Sequence, residues 1–233
     1  MTLTDTLLDP LLRDNPSGPR VTYYDDATGE RVELSTITLA NWAAKSANLF
    51  RDELGAGPGT RVAVLLPAHW QTVAVLLGVW WVGAEAVLDG PAEIALCTAD
   101  RLDEADAAVG TGEIAVLSLD AFGRGVDDLP IGVTDYATAV RVQGDQFSPE
   151  RSPGPALAGR SVEQVRGDAE NSAVAQGFTG SDRVLSSAAW DTPERLTAHL
   201  LAVFAAGASL VQVTNPAAGQ QRRIATEKVS KTL

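Results

Sequence analysis

Cys97, His69 and His199 are the only thiol and the only imidazoles in 233 residues. Three such groups, dispersed this widely, do not make a closed zinc site, which takes four ligands at short spacings. Cys97 ends the apolar run Ile94-Ala95-Leu96-Cys97 and reads as a buried, inert thiol. With no second cysteine there is no internal disulfide, which fits a reducing cytoplasm. His69 lies between Pro67 and Trp70 at a strand-to-helix turn, the edge at which α/β folds place ligands, and is a candidate ligand-binding residue. His199 falls inside an apolar helix. For both, a satisfied structural histidine is the plainer reading and a general base the sharper one.

Other chemistry finds little footing. Gly55, Gly57 and Gly59 follow a helix rather than open one, so they are no dinucleotide fingerprint. Ala44-Lys45-Ser46 has no glycine loop and lies mid-helix, and no Gly-x-Ser-x-Gly elbow occurs. The acids of Asp100–Asp106 and Asp127–Asp128 read as solvated surface rather than a cation site. A net charge of −12 argues against nucleic acid as a partner, since binding there depends on Lys and Arg neutralising phosphates. The N-terminal Met1–Asp14 has acids and no basic flank, so it is not a signal peptide. The apolar run Val73–Val87 is interrupted by Gly78, Gly83 and Glu85 and is shorter than the roughly 20 residues of a membrane span. A cytoplasmic protein off the membrane is expected.

These residues hang on two segments with one pattern. Gly59–Pro91 and Gly180–Pro216 each run Gly, Arg-Val, a short apolar run, a break, a long apolar segment, Gly-Ala and a second β-prone run. Strand, helix, strand with glycine stopping the helix is a βαβ crossover, which requires a parallel sheet. The fold class is therefore α/β, with parallel or mixed sheets flanked by helices and two βαβ units. Before the first unit come an amphipathic helix over residues 1–15, a hairpin turning at Asp26–Gly29, and a helix from Thr36 or Thr38 to about Leu54 ended by Gly55. Between the units the sequence predicts strands at Ile94–Cys97, Ile114–Leu117 and Ala137–Val142 and a helix at Arg101–Val109. A long exposed loop follows from Gly144 to Gly159, then a helix from Ser161 to about Gln176. After Pro216 come a helix and a strand stub, so the chain reads as cut short within a larger plan. The expected organisation is a single region over 1–233, with one lobe at about 20–142, a loop at 143–160 and a second lobe at about 161–233.

The segment LANWAAKSANLFRDELGAGPGTRVAVLLPAHWQTVAVLLGVWWVGAEAV resembles the opening of the adenylate-forming superfamily, the AMP-binding, acyl-CoA synthetase-like enzymes. GSDRVLSSAAWDTPERLTAHLLAVFAAGASLVQV resembles that family's second unit, which follows its phosphate loop. The chain looks closest to short actinobacterial relatives of unknown function. The resemblance implies the N-terminal part of an adenylate-forming fold, a place for ATP phosphates between the units, and an acyl pocket lined near Trp190. It makes Gln143, Gly144, Ser148, Trp190 and Asp191 candidate ligand-binding residues beside His69; a core tryptophan is the plainer reading of Trp190.

The departures count for more. Family enzymes carry a Ser/Thr/Gly-rich loop ending in Pro-Lys, whose donors cradle phosphates. Here the corresponding place reads Val142-Gln143-Gly144-Asp145-Gln146-Phe147-Ser148-Pro149-Glu150, with two carboxylates and no lysine. A carboxylate at about 4 Å from a phosphate costs about 4 kcal/mol at an effective dielectric near 20, on the order of a thousandfold in affinity. The family's later motifs are absent as well. No catalytic residue, metal or cofactor is therefore expected, and ATP or AMP is disfavoured. The preferred reading is a non-catalytic remnant that binds a small molecule or a protein. The second is a ligase activating a carboxylic acid with an atypical loop or a partner's help. The third is a structural homodimer covering an exposed sheet edge.

Overall fold

The computed structural model describes residues 1–233. Its elements begin with α1 (Leu3–Asp14), the strands β1 (Pro19–Asp25) and β2 (Glu30–Ser35), and α2 (Thr36–Asp52). Then come β3 (Arg61–Leu65), α3 (Trp70–Trp81), β4 (Glu85–Val87), β5 (Ile94–Cys97), α4 (Leu102–Val109), β6 (Glu113–Val116) and β7 (Val133–Asp135). The helices α5 (Tyr136–Arg141) and α6 (Val162–Ala175) precede β8 (Arg183–Ser186). A helix follows that is α-helical over α7 (Pro193–Leu196), π-helical over Thr197–Leu201 and α-helical again over α8 (Ala202–Ala205). The chain closes with β9 (Ser209–Thr214), α9 (Gln220–Thr226) and β10 (Lys231–Thr232).

Backbone contacts divide the chain into two units. The first comprises Met1–Asp5, Ala40–Leu66 and Gln71–Val162. Its sheet has the order β4-β3-β5-β6-β7 with every pairing parallel. Ala63, Leu65, Ala95, Cys97 and Val116 form the core on one face, packed against Ala105 of α4. Burial raises the Cys97 thiol to about 11, so it is neutral and inert at physiological pH. α3 is apolar all round and buried, as a helix without a polar face must be. It reaches α2 through Gly78, where a Cβ would stand 2.8 Å from the Ser46 Cβ and 3.1 Å from the Ala47 nitrogen.

The second unit comprises Thr6–Leu39, Pro67–Trp70 and Glu163–Leu233, with sheet order β10-β8-β9-β1-β2. Only β1–β2 is antiparallel; β1–β9, β8–β9 and β8–β10 are parallel. The two βαβ units stop their helices alike. Gly83 and Gly207 have φ of 78° and 81°. In each case the glycine N–H and the next N–H turn back to carbonyls of the last helical turn, at 3.0–3.1 Å.

Three expectations are corrected. The hairpin, placed in the first lobe, belongs to the second unit, because Val21, Thr22 and Tyr23 are buried and β1 takes partners on both edges. Ala137–Val142 is not a strand. Asp135 accepts from the Thr138 N–H at 2.6 Å and caps α5, and Tyr136 and Val140 are buried at helical spacing. The loop after it is not wholly exposed, since Ala156 and Leu157 are buried.

Glu227 ties α9 to the hairpin. It accepts hydrogen bonds from the Tyr24 hydroxyl, from Arg183 at 2.5 Å and from Arg31 at 3.0 Å. Burial alone raises its carboxyl, but these donors outweigh burial and lower it from 4.5 to about 2. The folded value lies below the unfolded one, so the stabilisation is complete above pH of about 4.5 and is lost as pH falls toward 2. Melts of the parent protein and Glu227→Gln across that window are expected to show the steeper loss in the parent. Parallel profiles would exclude Glu227 as the titrating group. Gly78→Ala is expected to cost a net of about 0–2 kcal/mol, overpacking of about 1–3 kcal/mol set against a helix gain of about 1. Each kcal/mol lowers Tm by roughly 2–4 °C, and a Tm at or above the parent's would show that α2 has room to recede.

Candidate functional site

Gln143, Gly144 and Ser148 lie on one segment of the first unit, the stretch from 142 to 161 between α5 and α6. α2 grips it by its carbonyls. Lys45 Nζ donates to the Gln143 carbonyl at 2.5 Å, and Asn48 Nδ2 to those of Gly144 and Gln146 at 2.9 Å each. The Gln143 side chain donates to Glu53 at 2.5 Å. Phe147 lies against Trp81 with ring centroids 6.1 Å apart, and the Arg51 guanidinium stands 4.8 Å over it. Further along, the Glu150 N–H donates to the Trp81 carbonyl at 3.2 Å and the Gly154 N–H to that of Gly83 at 2.9 Å. The Ala156 carbonyl accepts from the Ala86 N–H at 3.0 Å and from Trp80 Nε1 at 2.8 Å. The Gly159 N–H reaches Glu85 at 2.5 Å. Ser148 and Asp145 are exposed on this strap and make no part of its grip. The sequence reading did not single out Asn48, a buried polar residue of α2, or Glu53, an exposed residue just past its end.

The remaining candidates belong to the second unit. Asp191 is exposed and holds Arg195 through both carboxylate oxygens at 3.0 Å. Trp190 is 3% exposed, and its Nε1–H has no hydrogen-bond partner. It follows a row of polar side chains that crosses the sheet. Tyr23 of β1, Gln212 of β9 and Ser186 of β8 stand in register on three adjacent parallel strands, so they share one face. All three are buried, Gln212 at 1% exposure. The two histidines flank this row. His69 meets Tyr23 edge-on with centroids 4.3 Å apart, and its Nε2 is 3.7 Å from Glu30. At the other end His199 Nδ1 is 3.0 Å from Ser186 Oγ.

Local chemistry fixes the orientations. Ser186 Oγ accepts from the Ala188 N–H at 3.2 Å and is hydrogen-bonded to His199 Nδ1 at 3.0 Å. Burial, with the charge of Arg195 adding, lowers His199 below the ordinary histidine value, so the ring is neutral at physiological pH. Gln212 Nε2 donates to the Ala188 carbonyl at 3.1 Å, and its Oε1 is left with no donor. His199 sits in the π-helical turn, a form that recurs at functional sites. The Ala198 carbonyl of that turn accepts from Gln176 Nε2 at 3.0 Å. Ser186 ends β8 and pairs with Gln212 of β9, so the cluster is at the carboxyl edge of β8, where α/β sheets bind ligands. Neither Gln212 nor Ser186 was picked out from the sequence. The available signal was a glutamine in the middle of the apolar strand Ser209–Thr214.

A cleft of about 390 Å³ opens elsewhere in this unit, between Leu7 and Leu11 of α1, Arg166 and Glu170 of α6, and Phe204; none of the candidates lines it. No group of three or more His, Cys, Asp or Glu side chains is placed to hold a metal ion, and no helix is long and apolar enough to cross a membrane.

No protein-family model matches the chain. Among solved structures, an acyl-CoA synthetase from Brucella canis superposes over 100% of this chain and 47% of its own, with a TM-score of 0.82 at 16% identity. An anthranilate CoA ligase crystallised with anthranoyl-AMP gives 0.77 at 16%, covering 100% of this chain and 49% of that one. The N-terminal domain of FACL13 from Mycobacterium tuberculosis gives 0.76 at 16%, covering 100% and 62%. The fold is thus that of the N-terminal domain of adenylate-forming enzymes, and the chain spans less than two thirds of these proteins. A Mycobacterium tuberculosis protein described as a TIGR03089 family protein is 67% identical over 238 residues, covering 100% of this chain and 98% of that relative. An identity that high over both full lengths makes the chain a member of the TIGR03089 family.

Proposed function

We propose that this protein is a non-catalytic binding protein of the cytoplasm, built on an adenylate-forming scaffold, which holds a small molecule at the carboxyl edge of β8. One observation carries the reading. In the stretch 142–150, where the resemblance places a phosphate loop, the Gln143 carbonyl is taken by Lys45 of α2 and the Glu150 N–H is bonded to the Trp81 carbonyl. A triphosphate there would have to displace those bonds while approaching Asp145 and Glu150. Either cost alone is of the size of an ordinary binding energy. The second unit instead offers unpaired, buried hydrogen-bonding atoms at a ligand-binding edge. One ligase neighbour was crystallised with anthranoyl-AMP, and the resemblance puts an acyl-pocket aromatic at Trp190, which supports a small organic ligand here.

Calorimetry with MgATP and pyrophosphate exchange over a panel of carboxylic acids test the proposal. ATP is expected to bind more weakly than about 1 mM and exchange to stay at background. Binding of ATP tighter than about 10 μM, or exchange that scales with protein concentration, would overturn it.

A further inference from the structure

The sheet of the second unit ends on β2, six residues long and paired only with β1. The direction of its free main-chain groups follows from β1. The Asp26 N–H donates to the Thr214 carbonyl at 3.1 Å, so Thr22 and Tyr24, in phase with it, turn their main chain to β9, and Val21, Tyr23 and Asp25 turn theirs to β2. Val21 opposes Leu34 and Tyr23 opposes Val32, so Val32 and Leu34 bond inward. Arg31 and Glu33 therefore point their N–H and C=O groups off the sheet, where no other group of the chain bonds them. Edge strands are ordinarily blunted by proline, lysine or a bulge. Glu30–Leu34 has none of these, and the register shift of the pair lies at Pro19–Val21.

The two charged side chains on this edge are each half engaged. Arg31 uses Nε and Nη2, on Tyr24, Glu33 and Glu227, and leaves Nη1 without a partner. Glu33 uses Oε2, on Thr22, Arg31 and Arg183, and leaves Oε1 without one. They are 45% and 37% exposed. A free donor and a free acceptor, two residues apart on one face of an open edge, are complementary to their own image. An antiparallel copy could meet the outward groups with Arg31 against Arg31, with Glu33 against Glu33, or with Arg31 against Glu33. The first two set like charges opposite each other, which destabilises a strand pair. The third satisfies both free atoms twice over and sets Val32, on the other face, against its own copy.

We propose that β2 pairs antiparallel with β2 of a second copy of this chain, about a two-fold axis at Val32, so that Arg31 of each copy lies opposite Glu33 of the other. Each of the two symmetric pairs exchanges N–H···O bonds in both directions and adds an ion pair, and the two five-stranded sheets become continuous. The contact is the same patch on both copies, so it closes at a dimer and leaves no edge for a third. It involves none of Tyr23, Gln212 and Ser186 and is independent of what binds beside them.

Sedimentation velocity of the full chain from about 1 μM to about 1 mM is expected to show monomer passing to dimer. Cysteine placement reads the register. In Val32→Cys the two thiols face each other in a non-hydrogen-bonded pair, with Cα atoms about 4.5 Å apart and within disulfide reach. In Arg31→Cys and in Glu33→Cys they are diagonal, about 7–8 Å apart and out of reach. Cys97 is buried and does not compete. Val32→Cys is expected to cross-link about tenfold faster, or more, than either of the others. Arg31→Glu and Glu33→Arg are each expected to weaken the dimer about tenfold or more, and an equimolar mixture of the two to regain it, since each then faces the opposite charge. Cooperative melts show that these variants fold; if a reversal unfolds the chain, the cysteine series decides alone. A parent monomeric at about 1 mM, cross-linking that is faster at Arg31→Cys or Glu33→Cys, or folded reversals that leave the dimer unchanged overturn the assignment.

Discussion

Parallel strands cannot be joined by a tight turn, and that constraint organises both units. Each step from strand to neighbouring strand runs back along the sheet, and a helix is the compact way to do so. The helix covers the sheet, so the strands become apolar on both faces, as in Val62–Leu65 and Val184–Leu185. The helix must also stop where the next strand begins, and Gly83 and Gly207 do this with left-handed backbone that turns two N–H groups back to carbonyls of the last turn. All loops leaving the carboxyl ends gather on one edge. Polar side chains can be kept there because the sheet ends and helix coverage thins.

On the first unit the same geometry leaves a groove beside β4 that the chain fills with its own segment. Residues 143–160 contain Pro149, Pro153, Gly154 and Pro155 and cannot build regular structure, so their carbonyls need partners from outside. α2 supplies Lys45 and Asn48, β4 supplies the Ala86 N–H and Glu85, and α3 supplies Trp80. Lys45, one of the three lysines of the chain, is thereby a structural residue.

The second unit carries polar groups into a buried sheet face. Tyr23, Gln212 and Ser186 occupy positions where a parallel sheet ordinarily has Val, Ile or Leu, and each requires bonds that apolar residues would not. Ser186 and Gln212 obtain theirs in part from the short connection Ser187–Ala189, through the Ala188 N–H and carbonyl. A row of this kind lowers stability unless it is completed, which is the physical ground for reading it as a site rather than as packing.

The sequence alone determined the fold class, both crossovers and the helix boundaries near them, because apolar period and glycine position are local properties. It also determined that Cys97 is buried and that residues 142–150 lack the donors of a phosphate loop, since both follow from residue type. Helix α5 was misread because its cap, Asp135 on the Thr138 N–H, outweighs a short alternating pattern. Which sheet receives the hairpin, which helix grips the strap, and which residues meet across β1, β9 and β8 were decided only in the tertiary structure. Those are contacts between positions as far apart as Tyr23, His69, Ser186 and Gln212. No spacing along the chain encodes a register between parallel strands; it is set when the sheet forms and buries one face as a whole.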